Sequence, residues 1–237
     1  MSNPYFGFKN FTVYHDKCAM KVGTDGVLLG AWVKLRKAKK VLDVGTGTGL
    51  IALMLSQRSG GLLSVDAIDI DESAVFQTLE NVGRTPFLHI KVIHTSLQEY
   101  DKRCEEKYDM IVSNPPYFSS SLHSPDGKRT LARHTNSLPM VEFMTISARL
   151  LSPNGYLSLV FPYSEKDLLI KLAENVGLFV SRITNVYPMS HLNAKRVLLE
   201  FSKVKQEAEI TDLIIEKKRH VYTDDFAGLV KDFYLKL

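Results

Sequence analysis

Cysteine is scarce in this chain. Only Cys18 and Cys104 occur in 237 residues, far apart and in no C-x-x-C pattern. That argues against a disulfide framework or a thiolate zinc site and suits a reducing, cytoplasmic setting. Long apolar runs are missing too: nowhere do about 18 apolar residues follow one another, so no membrane-spanning helix is expected. The stretch Met1–Lys9 has no basic segment leading into an apolar core, so no secretory leader is expected. His89 and His94 have no companions that complete a metal-ligand set, and no metal is expected. Linkers rich in Pro, Gly or Ser are absent, as are repeats and heptads. One domain spanning 1–237 follows, with 1–33 as a short N-terminal extension. The 45% hydrophobic content is enough for its core. A net charge of +4 and a pI near 8.9 permit an anionic macromolecular partner without requiring one.

What the chain does have begins at Lys40-Val41-Leu42-Asp43-Val44, a buried strand. It runs into Gly45-Thr46-Gly47-Thr48-Gly49, after which Leu50–Leu55 starts a helix. Strand, glycine-rich turn and helix form a nucleotide-binding unit. The spacing is G-x-G-x-G, with Leu50 where a dinucleotide pattern wants its last glycine. Asp43, two residues before the first glycine, would repel a phosphate but welcome a cationic amino-acid moiety. S-adenosylmethionine, with its ammonium and sulfonium, fits that demand. A second strand, Leu62–Asp69, puts Asp69 at a strand end, where a carboxylate can accept from both ribose hydroxyls. Ile70 beside it joins the candidate cofactor contacts. Asp71 is a candidate cap for the helix Glu72–Val82. After a third strand, Leu88–His94, Ser96 lies near where an adenine-binding group is expected.

The apolar run Asp109–Ser113 arrives at Asn114-Pro115-Pro116-Tyr117. Two prolines hold a rigid extended turn and donate no N–H. The Asn114 side-chain oxygen and the Pro115 carbonyl become two fixed acceptors, with the Tyr117 ring beside them. That set suits a planar –NH2 group on a base or an amide. The plainer alternative is a strand end and loop with Tyr117 merely packed. The segment Ser119–Asn136 lacks periodicity and carries Lys128, Arg129, Arg133 and His134, which allows a substrate-gripping lid.

Elsewhere, Phe11 and Val13 suggest a short strand, and Thr24 or Asp25 a cap for the helix Val27–Val33. Lys34 to Lys40 and Lys217–His220 are basic clusters: solvated faces, or contacts to nucleic acid. Helices are expected over Pro139–Leu151, Tyr163–Val176 and Asp225–Tyr234. Strands are expected over Tyr156–Phe161, Leu178–Val186, Arg196–Phe201 and, less clearly, Glu209–Ile215. The alternation predicts an open, mostly parallel sheet with an antiparallel strand.

Val41–Gly49 together with Asn114–Tyr117 resembles the seven-stranded, Rossmann-like S-adenosylmethionine-dependent methyltransferases that act on an exocyclic or amide nitrogen. His15–Trp32, Ala132-Arg133-His134 and the ending Phe226 to Leu235 resemble, more narrowly, the bacterial adenine-N6 methyltransferases that modify a valine tRNA beside its anticodon. The resemblance implies an α/β fold of seven mostly parallel strands, with helices on both faces and one antiparallel strand. It implies Asp43, Gly45, Gly47, Asp69, Ile70, Ser96 and Asn114 as cofactor contacts, with Lys21 and Thr24 on a segment lying over the cofactor. Asn114, Pro115 and Tyr117 become the methyl-transfer site. Relatives often carry an acidic residue where Ser96 stands, so a hydroxyl or a backbone group would have to take that role. Rival activities on the same tetrapeptide are glutamine-N5 methylation of a release factor and guanine-N2 methylation of ribosomal RNA. From other classes, a nicotinamide oxidoreductase leaves Asp43 and Asn114–Tyr117 unexplained. A non-catalytic RNA-binding module would not need a complete cofactor cleft.

Overall fold

A computed structural model describes residues 3–18, 20–115 and 139–237. Tyr5–Gly7 (β1) and Thr12–Tyr14 (β2) form a separate antiparallel ribbon. After Thr24–Trp32 (α1), the chain alternates strand and helix through Lys40–Val44 (β3), Leu50–Arg58 (α2), Ser64–Asp69 (β4), Glu72–Gly83 (α3), Ile90–His94 (β5), Leu97–Arg103 (α4) and Tyr108–Ser113 (β6). Met140–Leu150 (α5), Leu151–Pro162 (β7), Lys166–Glu174 (α6), Phe179–Met189 (β8) and Arg196–Ser202 (β9) follow. Glu209–Lys218 (β10), Val221–Tyr222 (β11) and Asp224–Val230 (α7) end the described elements.

The main sheet runs β11-β10-β8-β9-β7-β6-β3-β4-β5. Its seven-stranded part, from β8 to β5, is parallel except for β9, which is antiparallel to both β7 and β8. Among the described residues the sheet has nine strands, because the less clearly expected strand at Glu209 runs on to Lys218 and pairs along β8 in parallel, and β11 folds back on it. Side-chain alternation divides the core. Val41, Met110, Val112 and Leu198 face α1, α2 and α7, while Leu42, Ile111, Leu157 and Leu199 face α4, α5 and α6.

Helix α1 is buried along most of its length and approaches α2 closely through Gly26 and Gly30. A Cβ at Gly26 would meet Leu50 at 2.9 Å, and one at Gly30 would meet Met54 at 2.7 Å. The two glycines are four residues apart and so share one face of the helix.

Some boundaries differ from expectation. Gly23, not Thr24 or Asp25, is the α1 N-cap, and it gives no side-chain cap bond. Tyr163–Glu165 forms a 3₁₀ turn before α6 starts at Lys166. Helix α4 is not anticipated by the sequence reading, although Ser96-Leu97-Gln98-Glu99 has capping-box spacing. Tyr117, the proposed lid Ser119–Asn136 and the Ala132-Arg133-His134 motif lie outside the described residues.

Candidate functional site

The topological switch lies at β3, which pairs with β4 on one side and β6 on the other. From it the chain winds one way through β4 and β5, then crosses to β6 and β7. In open α/β sheets the crevice for a ligand forms at the carboxyl ends of the strands beside such a switch. Asp43, Gly45 and Gly47 follow from β3, Asp69 ends β4, and Asn114 stands just past β6. Val44 and Ser113 are register partners, and the Ser113 hydroxyl donates to the Val44 carbonyl at 2.7 Å. That bond fixes Asn114 beside the start of the glycine turn. Asn114 is half-buried and Pro115 buried.

The turn depends on left-handed backbone at three glycines, with φ +70° at Gly45, +59° at Gly47 and +79° at Gly49. Most of its amides are used internally. Gly45 and Thr46 donate to the Ile68 carbonyl at 2.9 and 3.0 Å, Gly47 donates to Asp69 Oδ2 at 2.8 Å, and Gly49 donates to the Thr46 carbonyl at 2.9 Å. A phosphate cradle needs such N–H groups aimed at its ligand, so the turn is poorly suited to a pyrophosphate. Asp69 Oδ1 also accepts the Asp71 amide at 2.9 Å. A carboxylate has about four acceptor positions, which leaves Asp69 capacity for ribose hydroxyls. A Cβ at Gly45 or Gly47 would meet nothing within 4 Å, so the turn borders open space.

Asp43 is fully buried, and its Oδ2 accepts from the Thr46 hydroxyl at 2.8 Å. Its Oδ1 is buried without a hydrogen-bond partner among the described residues. Burial drives its pKa from 3.8 up to about 7, against the pull of the Thr46 hydroxyl and the Ala52 amide and with a small push from Asp69. A buried carboxylate held near neutrality at a cleft is a mark of a functional site, and a nearby cation would satisfy it.

The remaining candidates are spread around this centre. Ile70, just after Asp69, is 56% exposed, an apolar side chain left open beside the strand end. Ser96 caps α4, its hydroxyl accepting the Glu99 amide at 3.1 Å. Lys21 and Thr24 are exposed, and Thr24 borders a cavity of about 450 Å³. The extension also reaches the turn directly, since Cys18 Sγ donates to the Gly47 carbonyl at 3.5 Å. Burial, with smaller pushes from Asp69, Asp71 and Asp16, raises the Cys18 thiol to about 11, so it remains a protonated donor.

A polar seam on α3 escapes a reading of the sequence. Thr78 donates to the Gly47 carbonyl at 2.8 Å. Asn81 donates to the carbonyls of Tyr14 and Thr48 and accepts from the Tyr14 amide. Gln77 accepts from the Lys17 amide. All three are fully buried, and they stitch the extension to the glycine turn. The available signal was polar residues on a helix face whose other members are apolar.

Part of the basic run after α1 is taken up by pairing at the opposite, amino-terminal edge of the sheet. Lys34 pairs with Glu209 at 2.8 Å, and Arg36 grips Glu200 in two bonds at 2.8 and 3.0 Å. Among the described residues, no group of three His, Cys, Asp or Glu side chains is arranged to hold a metal. No described helix is long and apolar enough to cross a membrane.

Comparison with known proteins adds a family and a fold. The profile of the methyltransferase small domain matches residues 18–166. A protein of Parabacteroides distasonis is 51% identical over the whole of both chains and is named tRNA1(Val) (adenine(37)-N6)-methyltransferase. One of Trichodesmium erythraeum with the same name is 45% identical, also over the whole of both. Among solved structures, the chain resembles a protein titled a predicted O-methyltransferase from Agrobacterium tumefaciens, with a TM-score of 0.65 at 17% identity. The match covers 88% of this chain and 96% of that one. At that identity the likeness concerns the fold alone.

Proposed function

We propose, from the premise that this chain belongs to the methyltransferase small-domain family, that it methylates the N6 atom of an adenine beside the anticodon of a valine tRNA. The donor in this reading is S-adenosylmethionine. The carrying observation is the meeting of two groups at one switch point. Asp43, Gly45, Gly47 and Asp69 lie on one side, and Asn114 and Pro115 lie across the β3–β6 pair. The choice of RNA target rests on the names of full-length relatives.

The residues present fit the donor. The unpartnered buried Asp43 oxygen answers a cation, Asp69 answers ribose hydroxyls, and the open space at Gly45 and Gly47 admits close approach. Ile70 offers an apolar face to the adenine of the cofactor. Ser96 contributes through its backbone, since its hydroxyl caps α4. Lys21 and Thr24 belong to the segment assigned to cover the cofactor, and residues 1–33 act as part of a single domain. When bound, S-adenosylmethionine supplies a methyl group activated by a sulfonium.

Adenine N6 is a weak nucleophile because its lone pair is delocalised into the ring. The Asn114 side-chain oxygen and the Pro115 carbonyl accept its two N–H bonds and turn the lone pair toward the methyl. Such fixed acceptors cost no reorganisation at the moment of reaction, and holding both reactants in line supplies much of the remaining acceleration. Tyr117 is assigned, from its place in the sequence, the ring that stacks on the extruded base, a contact worth about 1–3 kcal/mol. The proton leaves the methylated nitrogen to water.

Asn114→Ala tests this reading. Turnover should fall about 100- to 1,000-fold, the scale for losing one preorganised hydrogen-bonding group. Cofactor affinity by calorimetry should stay within a few-fold. Equal loss of both would remove Asn114 from the methyl-transfer step.

A further inference from the structure

Apart from Thr24, the lining of the cavity of about 450 Å³ beside α1 is not used by the chemistry described so far. It is lined by Thr24, Asp25, Leu28, Val186, Pro188, Lys195, Arg196 and Ile215. These residues come from four elements and the turn before β9, and the strand residues lie at one edge of the sheet. Val186 and Pro188 are near the carboxyl end of β8, Arg196 pairs with Val186 at the start of antiparallel β9, and Ile215 is near the carboxyl end of β10. This is the same edge that carries the glycine turn and Asn114.

The two sites are close. Gly26, one residue after Asp25, packs so near Asn114 that a Cβ on it would lie 4.0 Å from the Asn114 amide nitrogen. Asp25 in the cavity wall is thus the sequence neighbour of a residue packed against Asn114. That spacing places the cavity within reach of a nucleotide joined to the reacting one.

The lining divides by chemistry. Leu28, Val186, Pro188 and Ile215 make an apolar wall able to take the face of a base. Lys195 and Arg196 supply two cations, and Asp25 supplies one carboxylate. The Asp25 carboxylate holds Arg196 Nε at 2.9 Å, and the guanidinium also donates to the Lys195 carbonyl at 3.1 Å. These bonds hold the guanidinium at the cavity wall beside the exposed Lys195 side chain. The volume lies within the range of small-ligand sites. Exposed Lys218 and Arg219, just beyond Ile215 at the end of β10, extend the basic character along the same edge.

We propose that this cavity is a second nucleotide subsite, which takes an RNA nucleotide neighbouring the adenine that is methylated. The assignment rests on the methyl-transfer reading above. Its base packs on the apolar wall, and its phosphate pairs with Lys195. The subsite would thus help select the sequence context of the target as well as its position.

Steady-state methylation of unmodified tRNA by the full chain tests it, using wild type, Lys195→Ala and Ile215→Trp. The first removes an exposed cation; the second fills the cavity with an indole. Both should raise the KM for tRNA at least tenfold, with kcat and cofactor affinity within about twofold of wild type. Lys195→Ala should also lower the slope of log affinity against log salt by about one, the signature of one lost phosphate contact. Unchanged KM in both variants, with wild type active, would overturn the subsite and leave the methyl-transfer reading standing. An unchanged salt slope with a raised KM would overturn the phosphate contact at Lys195. A wild-type chain that binds the cofactor yet methylates no tRNA would overturn the parent reading and this inference with it.

Discussion

Gly47 and Gly49 have the same left-handed backbone, yet a methyl group on each would meet different surroundings. Alanine at either position costs about 1–2 kcal/mol in backbone conformation. At Gly49 the new Cβ would lie 2.9 Å from the Thr78 methyl carbon, so Gly49→Ala should chiefly lower the melting temperature. At Gly47 it would point into open space bordering the turn, so Gly47→Ala should weaken cofactor binding more than tenfold with a smaller thermal penalty. Calorimetry and thermal unfolding on the two variants separate these effects; equal binding loss would mean that the cofactor does not approach Gly47. Asp43 carries a pH dependence of determinate sign. Its folded pKa of about 7 lies above the ordinary 3.8. The stability it contributes is therefore present in acid and is lost as pH rises through about 7. Binding of a cationic ligand runs the other way, because the proton must leave first. Cofactor affinity should fall about tenfold per unit as pH drops below 7, and Asp43→Asn should flatten that profile. An unaltered profile in the variant would assign the titration to another group.

At the scale of elements, α4 shows how a residue can be legible while one of its uses is not. Ser96 stands out in the sequence as a polar residue after a strand, and the resemblance offers it as an adenine contact. The structure uses its hydroxyl to cap α4. Ser96→Ala should accordingly cost about 1 kcal/mol of stability, while Ser96→Asp should keep the cap and so the melting temperature. If Ser96→Ala instead left stability intact and abolished cofactor binding, the hydroxyl would be a ligand contact after all. The strands β3, β4 and β6 were readable because they are short, apolar and bounded by glycine, Asp or Pro. Asp71 was readable as a cap because its side chain has one obvious local use, accepting the Ser73 amide at 2.9 Å. The N-cap of α1 was not readable, since Thr24 and Asp25 are good capping types but the chain places Gly23 there. Beyond the seven strands, Glu209–Ile215 was only weakly legible, for a different reason. Strand β10 is half exposed along its length, and its place is set by parallel pairing with β8, a long-range choice that no local pattern records.

For the whole molecule, the two faces of the sheet have different tasks. One face packs α4, α5 and α6 into an apolar layer. The other packs α1 and α2, and α3 binds the glycine turn and the extension through Gln77, Thr78 and Asn81. The extension was legible as a distinctive segment lying over the cofactor, but its attachment was not, because its anchors are polar side chains from a helix some 60 residues onward. The mild excess of positive charge is likewise uninformative until it is placed. Lys34 and Arg36 are paired at the amino edge, whereas Lys195, Arg196, Lys218 and Arg219 lie at the carboxyl edge with the site. The central claim is that this edge transfers a methyl group to an adenine amine of tRNA. The most direct test is transfer from methyl-labelled S-adenosylmethionine to total tRNA lacking the modification, followed by nucleoside digestion and mass analysis. The account predicts label in N6-methyladenosine recovered from valine tRNA. Label in another nucleoside, or in ribosomal RNA or a release factor with none in tRNA, would contradict it.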